Sequence, residues 1–463
     1  MRFIPPFVKL VSRSSGLALC ASLWLGACAL TPPKVDSSEP VSVESNLQTP
    51  WWQDFNDILL NDLIAQALRA NTSIQTAQSA LQQARALRDV ALAATRFNLT
   101  LSGTAQRSQS EFSNAVSTFK SGLDARWELD VFGANASQLN ASEADAKAVQ
   151  FSLADVQLSV TCEVALAYIQ LRSQQTQLSI AQQNLSIQQK TQDMTNWRTQ
   201  AGMSSELDLA QSRAATAQTA AQIPALQSAL AKTRHSLAIL TAQQPKAMDQ
   251  VLSDTKAIPQ TSHVTDFDIP ADTLRQRPDV RAAQQRVEAA LQRSHVAEAA
   301  TKPGFNLGGT LSWTAMTLSG VGSAPLASSL LGSVSFPLFD GGATKSQVLA
   351  QNAALQQTRL AYENAVLVAL KDVEDALTAL HHDHLRLAQW VQSASASTQA
   401  ATLAQHRYTS GLTDFQTVLQ TQRTLQDAQN SVASVQADLS ADHVGLIKAL
   451  GGGWQELPIT INR

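Results

Sequence analysis

Phe119-Lys120-Ser121-Gly122-Leu123-Asp124-Ala125-Arg126-Trp127-Glu128-Leu129-Asp130-Val131 alternates between two chemistries. Phe119, Leu123, Ala125, Trp127, Leu129 and Val131 fall on one parity, and Lys120, Asp124, Arg126, Glu128 and Asp130 on the other. Successive side chains of a β-strand point to opposite faces, so this segment predicts a strand with one greasy and one wet face. Three more segments read the same way. Phe97, Leu99 and Leu101 alternate with Asn98, Thr100 and Ser102; Phe305, Leu307, Leu311 and Trp313 with Asn306, Thr310 and Ser312; Leu330, Val334, Phe336 and Leu338 with Ser329, Ser333 and Ser335. The expected strands lie at about 97–106, 118–131, 305–314 and 328–338. Two-faced strands of this length suit an outer-membrane barrel, with lipid outside and water inside. A half-buried soluble sheet has the same alternation, but these two hairpins have no other core to cover.

Four strands cannot close a barrel, and open edges in lipid leave backbone groups unpaired at several kcal/mol each. Other copies of the chain must pair the edges. Two chains would make an eight-stranded barrel filled by side chains, whereas three would make a twelve-stranded barrel with a lumen. Lys120, Asp124, Arg126 and Glu128 on the inward face call for water in that lumen, which predicts a homotrimer.

Each hairpin sits between long helical patterns, because the chain is written twice. Ile74-Gln75-Thr76-Ala77 returns as Val280-Arg281-Ala282-Ala283, and Arg198 with Gly202 returns as Arg407 with Gly411. The offset drifts only from 280 − 74 = 206 to 407 − 198 = 209, and Pro303-Gly304 at a helix-to-strand junction belongs to that drift. A first repeat at 51–250, a linker at 251–272 holding Pro259 and Pro270, and a second repeat at 273–463 follow. Helices are expected over about 60–95, 137–200 and on to 240, then 278–301, 344–409 and on to 450. Val366, Val373, Leu380 and Leu387 recur every seven residues, the spacing of coiled-coil packing. A helix of 66 residues would reach roughly 100 Å, which suits a tube rather than a compact domain.

Charged residues make up only 15% of the chain and aromatics 5%, while Ala, Gln, Ser, Leu and Thr dominate. A net charge of −3 gives no indication of a nucleic-acid partner. The first 27 residues read as a signal peptide: Arg2, Lys9 and Arg13 precede a short apolar run at Leu17–Leu25. Leu25-Gly26-Ala27-Cys28 follows and resembles a bacterial lipobox, with Cys28 as the lipidated new N-terminus. Residues 28–50, with Pro32, Pro33, Pro40 and Pro50, read as an extended tether. Cys162, left alone in an apolar stretch, reads as a packed thiol.

Trp127-Glu128-Leu129-Asp130-Val131-Phe132-Gly133, Leu274-Arg275-Gln276-Arg277-Pro278-Asp279-Val280, Phe336-Pro337-Leu338-Phe339-Asp340-Gly341-Gly342 and Ala449-Leu450-Gly451-Gly452-Gly453-Trp454 together resemble the TolC-type outer-membrane efflux proteins, in particular the lipoprotein branch typified by OprM and NodT. The resemblance covers nearly the whole mature chain. It implies a trimeric twelve-stranded β-barrel in the outer membrane, continued by a helical tunnel in the periplasm. It implies docking to a periplasmic adaptor and an inner-membrane pump, often of the proton-driven RND type, for which the channel is a passive exit duct. The lipid on Cys28 would anchor the chain to the outer membrane. In such proteins the periplasmic tip narrows to an aperture, which here falls at the turns of Gly202 and Gly411. Tyr408, Asp414, Gln416, Gln420 and Arg423 are the candidates on one side and Glu206, Asp208 and Gln211 on the other. The chain departs from the family where Gln420 and Gln211 replace the usual acidic ring.

His381-His382-Asp383-His384 is the one metal-like cluster, and it reads as a solvated helix segment rather than a metal site. No cofactor beyond the covalent lipid is expected. Carboxylate pairs such as Glu374-Asp375 lack an apolar pocket, no His is matched to a nucleophile, and no phosphate loop occurs, so no enzyme is expected. A duct for protein or peptide secretion, and a lipid-anchored periplasmic coiled coil, are the alternatives. The strands argue against the second.

Overall fold

The computed structural model describes residues 50–110, 113–261, 275–317 and 325–452. The signal segment, Cys28, the tether before Pro50, residues 262–272 of the linker, and Gly453 with Trp454 lie outside them. The described residues belong to one compact unit.

Helices α1 (Ile58–Ala70) and α2 (Thr72–Ala94) open the first repeat. The expected helix from 60 to 95 is thus broken at Asn71. Its side chain accepts from the Ser73 and Ile74 amides and so caps α2, while its Nδ2 donates to the Leu240 carbonyl. Strands β1 (Asn98–Ser110) and β2 (Ser113–Leu129) follow, then α3 (Ala134–Gln200) and α4 (Glu206–Leu240). The second repeat runs α5 (Pro278–Ala299), β3 (Gly304–Ala315), β4 (Leu326–Ser335), α6 (Ala343–Thr409) and α7 (Phe415–Ala449). The duplication is metrical as well as sequential: α3 and α6 both have 67 residues, and α4 and α7 both have 35.

The joining segments differ most in length on the strand-to-helix side. Four residues, 130–133, join β2 to α3, whereas seven, 336–342, join β4 to α6. The helix-to-strand junctions differ by one residue, at 95–97 and 300–303. Counted along the sequence, where Phe97 matches Phe305, Pro303-Gly304 supplies two of the three residues of drift. Pro337, expected at the end of a strand, lies two residues beyond β4, where its missing N–H costs no ladder bond. The other strand limits also differ from expectation, with β2 beginning at Ser113 and β4 at Leu326.

Both helices after the sheet start in the same way. Gly133 (φ 75°) and Gly342 (φ 87°) take the left-handed conformation at the N-cap, which a side chain rarely adopts. Asp130 accepts from the Asn135 and Ala136 amides, and Asp340 from those of Gly342 and Thr344. An acidic cap at a helix N-terminus also meets the positive end of the dipole.

The four strands form one antiparallel meander in the order β1-β2-β3-β4. The register puts Leu101, Leu123 and Leu311 in one row, and Thr100, Asp124 and Thr310 in the next. The alternation therefore resolves into two faces. Leu331 breaks the pattern: it lies in the polar row, opposite Gly308, which leaves space for it.

The main core gathers around the middle of α3. Trp51, Trp52 and Phe55, the α1 face of Leu60, Leu63 and Ile64, and Leu237, Met248 and Val444 pack against Val164, Tyr168 and Leu171. Arg172 is fully buried there; it donates to the Tyr168 hydroxyl, Gln175 Oε1 and the Asp254 carbonyl, while Tyr168 donates to Asp57. This network fastens α1 and the start of the linker to α3. Cys162 is buried and free, and burial pushes its thiol up to about 12, as a packed thiol requires. One stretch of α3 is apolar enough to cross a bilayer by composition, but most of it is buried inside the chain, so it is a core helix.

Candidate channel and periplasmic tip

At one end of the molecule, β1 and β4 form the two edges of the sheet, and among the described residues neither has a second partner strand. The apolar face is bare: Leu99, Leu101, Leu330 and Val334 are all exposed. The other face carries the four charges expected together. Lys120 stands between Thr104 and Thr314, Asp124 between Thr100 and Thr310, Arg126 between Asn98 and Gly308, and Glu128 beside Asn306. Asp124 accepts from the Ser102 hydroxyl at 2.8 Å. Gly122 marks a close approach, because a Cβ there would stand 2.7 Å from the Leu311 carbonyl oxygen and 2.8 Å from Ser312 Cβ.

At the other end lie the turns of Gly202 and Gly411, which share φ 73° and the same closure. The Met203 amide donates to the Arg198 carbonyl, and the Leu412 amide to that of Arg407. Each following helix is capped by an acid the sequence had marked for the aperture. Ser205 and Asp208 form a reciprocal capping box at α4. Asp414 accepts from the Thr417 amide and hydroxyl at α7, and these bonds hold its carboxyl below the usual carboxylate range. Asp208 and Asp414 therefore cap helices at the tip, Asp414 exposed and Asp208 half-buried. Glu206, Gln416, Gln420 and Arg423 are exposed, and Gln211 is half-buried.

Tyr408 differs from the rest. It is buried, packs on Phe415 at 5.5 Å between ring centres, and joins a small core of Ala215, Ala404, Val418 and Leu419. Its hydroxyl is 3.2 Å from Ser204 Oγ. The Arg198 guanidinium lies 4.9 Å over its ring, and Nη1 donates to the Tyr408 and Thr409 carbonyls at 3.2 and 3.3 Å. One arginine of the first repeat thus clamps the last turn of α6 in the second. The sequence showed Arg198 only as a repeat marker; its pairing across 210 residues carried no local signal.

The motif segments also converge. Arg277, only 8% exposed, donates to Asp279, Asp372 and the Ala449 carbonyl, so it ties α5 to α6 and to the end of α7. Gly451 (φ 86°) lies against it, and a Cβ there would come within 3.2 Å of Arg277 Cα. Pro278 takes the first position of α5, as expected. His381, His382 and His384 are exposed, and no cluster of metal-ligating side chains occurs among the described residues. Glu374 and Asp375 are exposed too, with Asp375 paired to Lys371.

Comparison with known proteins agrees with this architecture. The model of the outer membrane efflux protein family matches residues 63–243 and 269–452, one block per repeat. The chain is 31% identical over 469 residues to the pyoverdine export outer membrane protein OpmQ of Pseudomonas putida, covering 98% of each. It is 28% identical over 446 residues to nodulation protein T of Rhizobium leguminosarum bv. viciae, covering 93% of this chain and 92% of that protein. Its fold superposes on the outer-membrane channel OprN with a TM-score of 0.83 at 33% identity, over 88% of this chain and 93% of that one. With a duplicated helix–hairpin–helix plan, a two-faced sheet with open edges and a family match in both halves, the chain belongs to the outer membrane efflux protein family, whose members are trimeric channels serving as exit ducts of tripartite efflux systems rather than enzymes.

Proposed function

We propose that this chain is the lipid-anchored exit duct of an efflux system driven by an RND-type inner-membrane pump. Three copies close twelve strands in the outer membrane, and their long helices form the tunnel that meets a periplasmic adaptor. The observation that carries this reading is the sheet: a bare apolar face and two unpaired edges need lipid and neighbouring copies. Lys120, Asp124, Arg126 and Glu128 then line a wet lumen. Cys28 carries the lipid. At the tip, Tyr408 and Arg198 hold the two helical hairpins together, and Gln211, Gln420, Glu206, Asp208, Asp414, Gln416 and Arg423 border the aperture. A ring of Gln in place of carboxylates repels itself less and attracts cations less, so this aperture is less cation-selective. Conductance of the purified trimer in planar bilayers tests the duct. A monomer in detergent, with no conductance even after loosening of the tip, overturns it. Cys28→Ser should lose the lipid yet still insert as a trimer; loss of the trimer would show that the lipid does more than tether.

A further inference from the structure

The two repeats meet inside the chain, and that seam has an uncovered counterpart on the chain's outer faces. Helices α2 and α5 begin 278 − 72 = 206 residues apart, and α3 and α6 begin 343 − 134 = 209 apart, so each helical position of one repeat maps onto the other. Three contacts join α3 to α5 at the in-chain seam. The Arg281 guanidinium lies 5.6 Å over the Phe151 ring, Arg286 donates to the Ser152 hydroxyl at 3.1 Å, and Arg293 pairs with Asp145. Phe151 is buried against Ala282, and Leu158 is buried beside Gly452 at the end of the second repeat. On α6, Leu360 and Leu367 take the places of Phe151 and Leu158, yet they are 54% and 65% exposed. On α2, Leu87 takes the place of Arg293 and is 58% exposed. Burying a leucine contributes about 1.5–3 kcal/mol, so these two faces call for a cover.

The sheet carries the same relation. Phe97 matches Phe305, and the hairpin registers Asn98–Arg126 and Asn306–Ser333 then match Arg126 with Ser333. Within the chain, β2 sets Trp127 opposite Leu307 on β3. Their counterparts, Val334 on β4 and Leu99 on β1, lie on the two open edges and on the greasy parity of each strand. We infer that a second copy covers these faces by repeating the in-chain seam, with Val334 opposite Leu99 of the next copy and α6 packed on α2 of the next copy. The seam between copies then differs from the one inside the chain in its charge. Gln75, Ala80 and Leu87 stand in place of the three arginines, and Leu360, Ala361 and Ala354 in place of Phe151, Ser152 and Asp145. Glu363, at the place of Ala154, meets Thr76 rather than a cation. A seam with an ion pair inside the chain thus becomes one without at these positions, held by apolar burial that salt does not screen. The number of copies rests on the duct proposed above; the register and the pairing of faces do not.

Cysteine pairs in the full-length protein test the register, because residues directly opposite in an antiparallel pair lie about 4.5–5.5 Å apart at Cα, within disulfide reach. Oxidised Leu99→Cys with Val334→Cys should migrate as a covalent trimer on denaturing gels. Leu99→Cys with Leu330→Cys, one full turn of the strand pattern away, should stay monomeric. A charge swap tests the helix faces. Leu87→Arg should raise the monomer fraction about tenfold, because it places an unpaired cation in the seam. Adding Ala354→Asp should restore the trimer, and that trimer should dissociate in molar salt where wild type does not. Four outcomes overturn the seam: no Leu99–Val334 link, a Leu99–Leu330 link in its place, a folded Leu87→Arg trimer as stable as wild type, or no rescue by Ala354→Asp. If Leu87→Arg fails to fold, the cysteine pairs still decide. Native mass spectrometry counts the copies separately: a number other than three, with the Leu99–Val334 link present, sinks the trimer and keeps the seam.

Discussion

Arg198→Ala is the most direct test of how the tip is held. The guanidinium makes two hydrogen bonds to carbonyls of the last turn of α6, at 3.2 and 3.3 Å, and lies 4.9 Å over the Tyr408 ring. Hydrogen bonds from a charged donor contribute about 1.5–3 kcal/mol each when desolvated, and a cation–π contact about 0.5–1 kcal/mol at an exposed site. Arg198 is only half-buried, and Thr409 is exposed. Screening therefore brings the clamp to roughly 1–2 kcal/mol per chain. Three clamps in a trimer amount to roughly 3–6 kcal/mol, and each 1.4 kcal/mol shifts a closed–open equilibrium about tenfold, so the triple loss should favour opening by about a hundredfold or more. Bilayer recordings should show openings that wild type lacks, and cells carrying the variant should become permeable to large antibiotics. Arg198→Lys should restore closure only in part, because an ammonium cannot reach two carbonyls while stacking on a ring. Tyr408→Phe should stay largely closed, since it loses only the contact to Ser204 and keeps the ring. The reasoning fails if Arg198→Ala conducts like wild type, or if Tyr408→Phe opens the channel as fully as Arg198→Ala does.

Three further outcomes are expected. Arg277→Ala leaves the Ala449 carbonyl and Asp372 without their donor, and with both carboxylate partners about a third exposed it should cost roughly 2 kcal/mol, read as a lower melting temperature; Gly451→Ala should fall in the same direction through its φ of 86° and the crowding against Arg277. Asp442 is pushed up to about 6 by burial and by Asp383 and Asp438, with Arg386 opposing; its folded value lies above the unfolded 3.8, so the stability it lends is full below about pH 4 and is lost as pH rises through about 6. Melting should therefore be higher at pH 5 than at pH 7.5, and Asp442→Asn should recover roughly 1–2 kcal/mol at pH 7.5 after allowance for partial exposure; a flat melting profile in wild type would refute the assignment. Gly122→Val cannot fit a side chain 2.7 Å from the Leu311 carbonyl without parting β2 from β3, so heat-stable trimer on gels should be lost.

What was legible in the sequence is what period and composition control. Alternation over Phe119–Val131 set two faces, and the heptads with their closing glycines at 202 and 411 set helix lengths, because those patterns are local and repeat twice. The same locality explains the errors. Asn71 stops a helix because its side chain satisfies the next turn's amides and a carbonyl 169 residues away, and only the folded chain brings Leu240 there. Asp208 and Asp414 read as aperture charges from their place beside the turns, and the structure adds that both carboxylates cap helices there.

By itself the sequence pointed to a membrane duct: four two-faced strands have no core of their own to cover, and duplicated long helical patterns suit a tube. Only the tertiary structure decided what holds the tube together. Arg198 meets Tyr408, and Arg277 meets the Ala449 carbonyl. Each of these contacts joins segments far apart in the chain, and a contact of that kind depends on how two helices pack, which no periodicity in either one specifies.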